Sequence, residues 1–424
     1  MHQPNGPAGF VRQAAGNHTA LVCDGVPLTA IAASAGTPVY VYSAAVLRER
    51  YRAIDEAFGG HPHALHYALK ANSTLAIARL LRELGSAVDA NSVWEIEVAR
   101  RAGFDPSQIV FTGVGKSPGE LECAVALGVK AINVESAGEL ARLEAIAARL
   151  GRRARIAIRV NPDIDAKSHP HISTGLKINK FGVPLDDARA LLQTLTDRPS
   201  LALVAIHVHV GSQITSLDPL RRAAALAADV SLELQRRGFP LEYVDLGGGL
   251  GVSYDGGAVP SAAEYVAALV DEVRRTSLPI VVEPGRSIAA PAGVLLARVI
   301  DVKPRTASSA FVIIDAGMTE LLRPALYNAY HRIEPVDAPP DGDRHYEIVG
   351  PVCESSDVVG RDRMLPALAP DDLVAIRDAG AYGSVMASNY NRRPLPPEVL
   401  VDGGAWRIIR RRQTIDDQLA LEES

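Results

Sequence analysis

From about residue 64 to residue 286, the chain alternates between short apolar runs and longer segments with one apolar and one polar face. The apolar runs contain many β-branched residues, which is typical of strands buried on both faces of a parallel sheet. Eight such runs lie at residues 64–71, 86–92, 109–113, 131–136, 155–162, 203–211, 243–249 and 280–286. The segments between them, for example residues 137–150 and 220–237, are rich in alanine and leucine and predict helices.

Eight strand–helix units within roughly 220 to 250 residues predict a (β/α)8 barrel. An open doubly wound sheet is the competing topology, although the first run carries no GxGxxG dinucleotide-binding motif. After about residue 290 the pattern changes to strands joined by turns and proline-containing loops, which indicates a separate β-rich domain. The sequence therefore predicts an α/β protein with a barrel at residues 38–290. A β-sandwich or β-barrel-like domain would comprise residues 1–37 and 291–424.

Composition narrows the classes of function. Of the 424 residues, 47% are hydrophobic and 22% are charged, as expected for a globular protein. A net charge of −5 without a basic cluster argues against a nucleic-acid partner. The three cysteines are far apart and include no CxxC pair, so neither a disulfide framework nor a zinc site is indicated. The chain start lacks a signal-peptide pattern and no apolar run is long enough for a membrane span, which predicts a cytoplasmic protein.

The first predicted strand ends in a lysine. Period-two alternation places His66, Ala68 and Lys70 on one face of this strand. Active-site groups of barrels lie at the carboxyl ends of the strands, where Lys70 stands. Such a lysine is either a solvated surface charge or a desolvated amine that acts as a nucleophile and forms a Schiff base.

Glycines and a carboxylate follow the last two predicted strands. The segment 247–249 is Gly-Gly-Gly, and Glu283 is followed two residues later by Gly285. Glycine-rich loops at this end of a barrel form either tight turns or cradles for a phosphate group. A phosphate cradle, Lys70 and Glu283 together suggest pyridoxal phosphate, whose aldehyde needs an amine and whose ring nitrogen needs an acidic partner. His209 is then placed to lie against the ring, and an ion pair between Glu283 and Arg286 is compatible with this interpretation.

Two histidines on the sixth predicted strand permit another interpretation. His207 and His209 are two residues apart and could bind zinc from one face of a strand. A metal-dependent barrel hydrolase would need further ligands, for which Asp89 and Asp245 are the candidates. One of the two histidines should also lie a layer deeper in the barrel, so we expect no metal site.

Ten short motifs in order along the chain resemble those of the diaminopimelate decarboxylase family, a group of pyridoxal-phosphate enzymes built like alanine racemase. They are HYALKAN at 66–72, VNPD at 160–163, ISTGLK at 172–177 with KFG at 180–182, HVGSQ at 209–213, GGG at 247–249, EPGR at 283–286, RPALY at 323–327, CESSD at 353–357, AYG at 381–383 and SNYN at 388–391. After Asp89 the family usually has Ser-Gly-Gly-Glu, whereas Val93 and Trp94 occupy the glycine positions here. We expect this change to alter packing beside the cofactor.

The resemblance implies a role for each matching residue. Lys70 would carry pyridoxal phosphate as a Schiff base, His209 would stack on its ring and Glu283 would face the ring nitrogen. The other implied cofactor-binding residues are Ser212, Gly248, Gly249, Gly285, Arg286 and Tyr382. The implied substrate-binding residues are Arg286, Arg323, Tyr327, Glu354 and Tyr382. Cys353 would reprotonate the α-carbon, and Cys353 and Glu354 would come from the second subunit of a homodimer.

The resemblance implies decarboxylation of meso-diaminopimelate to L-lysine, the last step of lysine biosynthesis. A decarboxylase acting on ornithine or on a carrier-linked amino acid is the main alternative, and Arg323 and Arg286 argue against it because they suit a distal carboxylate. An alanine racemase is disfavoured because Glu283 replaces the arginine that racemases place at the ring nitrogen. A non-catalytic pyridoxal-phosphate carrier would need neither the β-rich domain nor Cys353 and Glu354.

Overall fold

The computed structural model describes residues 9–15, 18–165, 175, 179–306, 308–337 and 342–422. The 172–177 motif lies outside these residues except for Gly175. The chain forms two compact units, which we call the barrel unit (Arg50–Val252 and Ala258–Ser287) and the β-rich unit (Met1–Glu49, Ser253–Gly257 and Ile288–Ser424). Every helix in the described part of the chain is too short or too polar to cross a lipid bilayer.

The strands, in chain order, are β1 Phe10–Ala15, β2 His18–Cys23, β3 Val26–Pro27, β4 Val39–Ser43, β5 His63–Ala68, β6 Ala87–Ala90, β7 Ile109–Phe111, β8 Ala131–Val134, β9 Ala154–Asn161, β10 Val183–Pro184, β11 Leu201–Val208, β12 Tyr243–Asp245, β13 Ile280–Val282, β14 Gly293–Pro304, β15 Ser309–Ile314, β16 Ile333–Pro335, β17 Arg344–Val349, β18 Val358–Leu365, β19 Leu373–Ile376, β20 Glu398–Asp402 and β21 Ala405–Arg410. The α-helices are α1 Leu28–Ala35, α2 Ala44–Ala57, α3 Leu75–Glu83, α4 Val93–Ala102, α5 Pro118–Leu127, α6 Ala137–Arg149, α7 Leu185–Thr194, α8 Leu217–Arg236, α9 Ala262–Val273, α10 Arg286–Ala289, α11 Arg323–Tyr327 and α12 Ile415–Leu419.

The barrel unit is a closed ring of eight parallel strands. Neighbours pair in the order β5, β6, β7, β8, β9, β11, β12 and β13, and β13 pairs with β5 to close the ring. The two-residue strand β10 pairs with the end of β9 and is not one of the eight strands of the ring. The predicted (β/α)8 barrel is confirmed, and the open sheet is excluded because the ring has no free edge.

Serine side chains start several helices of the barrel. Ser117 caps α5 and Ser261 caps α9, each accepting the backbone N–H of a glutamate three residues later, whose carboxylate bonds back to the serine N–H. This reciprocal arrangement satisfies two backbone donors that a helix start otherwise leaves unpaired. The S-x-x-E spacing therefore explains why these helices begin directly after the loops that follow the strands.

The β-rich unit contains a three-stranded sheet, β1-β2-β3, and a larger sheet in the order β18-β17-β15-β14-β4-β20-β21. In the larger sheet β4 is antiparallel to β14 and parallel to β20. Fully buried side chains of β4, β14 and β20 share one apolar cluster with α1: Leu28, Ile31, Val39, Val41, Val294, Leu296, Val399 and Val401. The predicted β-rich part is thus present and takes in the start of the chain.

The units divide after Glu49 and after Ser287, whereas the sequence predicts divisions at residues 38 and 290. The difference at the first boundary comes from β4, which pairs with strands of the β-rich unit. All five β4 residues are buried, so the apolar run alone does not distinguish this sheet from a barrel strand.

Candidate active site

Lys70 lies just beyond a barrel strand. Strand β5 ends at Ala68, and a single 3-10 turn, Leu69–Ala71, follows it, so the predicted two-residue alternation is wrong at Lys70. The Lys70 Nζ atom lies 3.2 Å from Oδ2 of Asp89 and 3.5 Å from Oδ1 of Asn91. Asp89 is fully buried, whereas 35% of the Lys70 side chain is exposed. The amine is therefore held by a buried carboxylate while remaining accessible to a ligand.

Three buried polar side chains lie close together inside the barrel. One potential ligand atom from each of His207, Asp245 and Glu283 lies within 4.8 Å of the others. The closest approach between a histidine nitrogen and Glu283 is 3.6 Å, from Nε2 of His207 to Oε2. Oε1 of Glu283, Oδ2 of Asp245 and both ring nitrogens of His207 have no hydrogen-bond partner among the described residues.

The surrounding charges shift the pKa values of the two carboxyl groups of this cluster in opposite directions. Burial raises the pKa of Asp245 well above its ordinary value, and the neighbouring charge of Glu283 raises it further. Burial also raises the pKa of Glu283, but His207, Lys70 and Arg159 together lower it by more. Two carboxylates this close do not both ionise easily, so the opposite shifts favour a proton on Asp245 and the negative charge on Glu283.

The glycine loop after β12 packs against the strands on either side. The backbone N–H of Gly248 donates to Nδ1 of His209 over 3.2 Å. A Cβ atom on Gly248 would collide with the carbonyl oxygen of Glu283, and one on Gly247, whose φ is +62°, would lie 2.6 Å from Nδ1 of His209. Burial lowers the pKa of His209 well below its ordinary value, and the charge of Lys70 lowers it further. His209 is therefore a neutral imidazole that accepts at Nδ1 and carries its proton on Nε2.

Arg286 begins α10 immediately after the last barrel strand and is 6% exposed. Its Nε and Nη2 atoms lie 3.2 and 3.0 Å from the hydroxyl oxygen of Ser212, which belongs to the loop after β11. A Cβ atom on Gly285 would lie 2.9 Å from Cβ of Ala71. The ends of strands β5, β11 and β13 are thus drawn together around Lys70.

The two bulky residues after Asp89 do not fill the barrel. Helix α4 begins after Ser92, whose hydroxyl accepts the N–H of Glu95, and Trp94 in its first turn is 79% exposed. The Trp94 indole group thus faces solvent, and the expected effect of the Val93–Trp94 change on packing beside the cofactor stays a prediction. Glu95 instead turns back and accepts the N–H of Asn91 over 2.6 Å, and burial raises the pKa of Glu95 to about 7.

In the β-rich unit Arg323 is fixed by two aromatic groups. Its Nη1 atom donates to Nε2 of His331 over 2.7 Å, and its guanidinium carbon lies 4.6 Å from the centre of the Tyr254 ring. Nδ1 of His331 lies 2.8 Å from the carbonyl oxygen of Arg377, which fixes the neutral tautomer with its proton on Nδ1. Arg323 is 5% exposed, and Tyr327, at the other end of α11, is half-buried.

The Cys353 segment of the β-rich unit is a surface turn. Cys353 is exposed, and its sulfur accepts a hydrogen bond from Nδ2 of Asn391 over 3.4 Å. Glu354 is also exposed, whereas Asp357 is buried and accepts two backbone N–H groups, which anchors the turn. The backbone of Tyr382 has a φ of +55°, a left-handed conformation that residues other than glycine seldom adopt.

The structure brings one part of the predicted site together within the barrel unit: Lys70, His209, Ser212, Gly248, Gly249, Glu283, Gly285 and Arg286. The other part belongs to the β-rich unit: Arg323, Tyr327, Cys353, Glu354 and Tyr382. Four further polar residues of the site carry no motif of their own in the sequence: Asp89, Asn91, His207 and Asp245. Their positions at the ends of predicted strands were the signal that could have found them.

The barrel residues fit a pyridoxal group. Lys70 supplies an accessible amine, and Glu283 supplies a buried carboxylate whose Oε1 atom has no partner among the described residues. A buried acceptor of this kind requires a donor, which a protonated ring nitrogen provides. The family described as pyridoxal-dependent decarboxylase, pyridoxal binding domain, matches residues 44–290. The fold is thus that of a pyridoxal-dependent decarboxylase, and its cofactor is pyridoxal phosphate.

More specific similarities extend over nearly the whole chain. Diaminopimelate decarboxylase of Pseudomonas aeruginosa is 44% identical over 402 residues, which is 95% of this chain and 96% of the relative. The structure of Helicobacter pylori diaminopimelate decarboxylase complexed with L-lysine matches with a TM-score of 0.90 and 42% identity, covering 93% of this chain and 99% of that one. The structure of diaminopimelate decarboxylase from M. jannaschii in complex with L-lysine has a TM-score of 0.91 and 35% identity, covering 97% of this chain and 98% of that one. The chain belongs to the diaminopimelate decarboxylase family.

Proposed function

We propose that this chain removes one carboxylate of meso-diaminopimelate as carbon dioxide and releases L-lysine. The observation that supports this most is the similarity to named diaminopimelate decarboxylases along nearly the full length of both chains. Bound pyridoxal phosphate supplies an electron-accepting ring that stabilises the negative charge left on the α-carbon when carbon dioxide departs.

Barrel residues hold the cofactor in this proposal. Lys70 attaches it through Nζ, and Oε1 of Glu283 accepts from its ring nitrogen. His209, neutral and fixed through Nδ1, lies against the ring without adding a charge that would compete with Glu283. The phosphate is assigned to the Ser212, Gly248, Gly249, Gly285 and Arg286 group and to Tyr382. No metal is assigned to the His207 cluster, because Glu283 is committed to the ring nitrogen.

Residues of the β-rich unit select the substrate and return the proton. Arg323 and Tyr327 bind the distal carboxylate together with Arg286, and Glu354 and Tyr382 contact the distal end of the substrate. The fixed orientation of Arg323 favours this role, because a guanidinium held in one plane recognises a carboxylate through two parallel hydrogen bonds. Cys353 donates a proton to the α-carbon from its exposed thiol.

Decarboxylation of another amino acid, such as ornithine or a carrier-linked one, is the competing function. Carbon dioxide release by the purified, cofactor-loaded protein separates the two when meso-diaminopimelate, L-lysine, L-ornithine, D-ornithine and L-arginine are supplied individually. We expect release from diaminopimelate alone, with an equal amount of lysine formed. Activity confined to another amino acid would retain the cofactor and overturn the substrate assignment.

We further propose a homodimer in which Cys353 and Glu354 complete the site of the partner. Support comes from a surface cavity of about 480 Å³ on the β-rich unit, which Tyr330, Arg361 and Arg363 help to line. Ser356, three residues after Cys353, lines the same cavity, so this surface continues into the Cys353 turn. Aromatic and arginine side chains are enriched at protein–protein interfaces.

Mixing two inactive variants tests this arrangement. Lys70→Ala and Cys353→Ala each destroy both sites of their own homodimer. If subunits exchange randomly, about half of the dimers are mixed and each contains one complete site, so about a quarter of the activity returns. A dimer that exchanges subunits but recovers no activity would show that each chain builds its own site.

We place the protein in the cytoplasm. The proposed proton donor Cys353 must remain a free thiol, and reducing compartments preserve exposed thiols. Fractionation of the source cells followed by activity measurement tests this placement.

A further inference from the structure

A polar pair lies one layer below the proposed cofactor contacts in the barrel. His207 on β11 and Asp245 on β12 are direct register partners on neighbouring parallel strands, and both are fully buried. Registered residues of neighbouring strands face the same side of a sheet, so both side chains share the barrel interior with Glu283. The backbone N–H of Gly247 donates to Oδ1 of Asp245 over 3.0 Å and fixes that carboxyl group.

The two ring nitrogens of His207 are buried without a hydrogen bond to any described residue. Buried polar groups in proteins are nearly always paired. The nearest acceptor is Oε2 of Glu283, 3.6 Å from Nε2. This distance exceeds that of a hydrogen bond, but hydrogen bonds in active sites are often long before the ligand binds.

We propose that His207 is a positioning residue for Glu283: it donates from Nε2 to Oε2 and thereby directs Oε1 toward the ring nitrogen of the cofactor. This inference rests on the proposed role of Glu283. The two oxygens of the carboxylate are divided between the protein and the cofactor. Without a donor at Oε2, the carboxylate is free to rotate and to share its charge with other groups of the barrel.

The surrounding charges are consistent with a single negative group at this depth. Burial and the charge of Glu283 raise the pKa of Asp245, whereas His207, Lys70 and Arg159 favour the ionised form of Glu283. His207 is the ring donor of this cluster, with Nε2 3.6 Å from Oε2 of the carboxylate.

A second buried histidine of the barrel provides a matched control. His66 on β5 is also fully buried, and its ring nitrogens also lack hydrogen-bond partners among the described residues. The charges that shift the pKa of His66 are those of Lys130 and Asp89. Its replacement costs a similar amount of packing without touching the proposed contact.

The test compares His207→Leu, His207→Gln, His66→Leu and Glu283→Gln as cofactor-loaded enzymes. The readout is the ¹⁵N NMR shift of pyridoxal phosphate labelled at the ring nitrogen, which reports whether that nitrogen is protonated, together with kcat. We expect His207→Leu to move the shift toward the unprotonated value and to lower kcat by roughly 10- to 100-fold, the usual scale for a residue that orients a reacting group. His207→Gln, which keeps an N–H donor, should recover part of both, and His66→Leu should leave the ¹⁵N shift unchanged.

The outcomes separate the inference from the function on which it rests. If Glu283→Gln leaves the ring nitrogen protonated, the proposed role of Glu283 is wrong. If Glu283→Gln changes the shift but His207→Leu gives the same result as His66→Leu, only the positioning role is wrong. If His207→Leu does not fold, His207→Phe, which keeps a ring of similar size but has no N–H donor, is compared with His66→Phe. A ring-nitrogen shift that is unchanged in both variants, with an equal change in kcat, overturns the proposal.

Discussion

The amine of Lys70 lies 3.2 Å from a carboxylate oxygen of Asp89, a residue with no solvent exposure. Nδ2 of Asn91 donates to the same oxygen over 3.0 Å, so the carboxylate is itself held in place. This arrangement orients a long, flexible side chain that a solvated lysine would leave mobile. The choice between a surface charge and an oriented amine, which the sequence left open, is thus decided by a residue 19 positions further along the chain.

Replacing Lys70 by alanine should abolish covalent cofactor attachment and lower activity by roughly a thousandfold or more. The physical reason is that alanine lacks the amine that Asp89 holds in place for attachment. Borohydride reduction followed by peptide mass analysis measures attachment directly, and Lys70→Arg controls for the loss of charge. If the Lys70→Ala variant still carries a borohydride-reduced cofactor, on the peptide around residue 70 or on another peptide at the wild-type yield, the assignment of Lys70 is refuted.

Replacing Arg323 by alanine should raise KM for diaminopimelate about a hundredfold, because a buried charged hydrogen-bond donor to the distal carboxylate is lost. Cofactor affinity should change little, since the residues assigned to the cofactor are retained. Steady-state kinetics and a cofactor titration measure the two effects separately. Arg323→Lys keeps the positive charge but loses the planar guanidinium, so its KM for diaminopimelate should lie between those of the wild type and of Arg323→Ala. An equal loss of substrate and cofactor affinity would indicate a structural role only.

Replacing Cys353 by serine should lower kcat by roughly a hundredfold or more with a small change in KM, because a hydroxyl is a far weaker acid than a thiol. Cys123 is the matched control, since it is the other exposed thiol. Cys123→Ser should retain activity and remain sensitive to thiol alkylation, whereas Cys353→Ser should be insensitive to it. If alkylation inactivates the wild type through Cys123, Cys353 is not the proton donor.

Glu95 predicts a specific pH dependence of stability. Burial raises its pKa from 4.5 to about 7, so the folded state binds more protons than the unfolded state between these values, and the free energy of unfolding falls as pH rises through this range. Glu95→Gln can still accept from Asn91 and removes this titration. Relative to wild type, it should therefore gain on the order of 2 kcal/mol between about pH 4.5 and about pH 8.

Denaturant unfolding at the two pH values measures the gain for Glu95→Gln. The control is Glu97→Gln on the same helix. The Glu97 side chain is 38% exposed, and its hydrogen bond and ion pair with Arg101 lower its pKa, so Glu97→Gln should show no gain. Parallel pH profiles for Glu95→Gln and the wild type would show that Glu95 is not protonated in the folded state.

Much of the fold and part of the site could be predicted from local pattern. All eight barrel strands lie within or overlap the apolar runs, because strands buried on both faces need continuous apolar sequence. Strand β4 has the same kind of sequence but belongs to the other unit, since its partners β14 and β20 lie more than 200 residues away. Trp94 is 79% exposed in the first turn of α4, although a large apolar side chain is usually buried.

By itself the sequence determined the order of elements, the strand-end positions of Lys70 and Glu283, and the motifs that place the chain in its family. Periodicity and spacing are properties of neighbouring residues, so they can be read without coordinates. Only the tertiary structure decided which polar groups meet: Lys70 with Asp89, His207 with Glu283, and Arg286 with Ser212. Each of these contacts joins residues from different strands or loops, and their distances are set by the closure of the barrel.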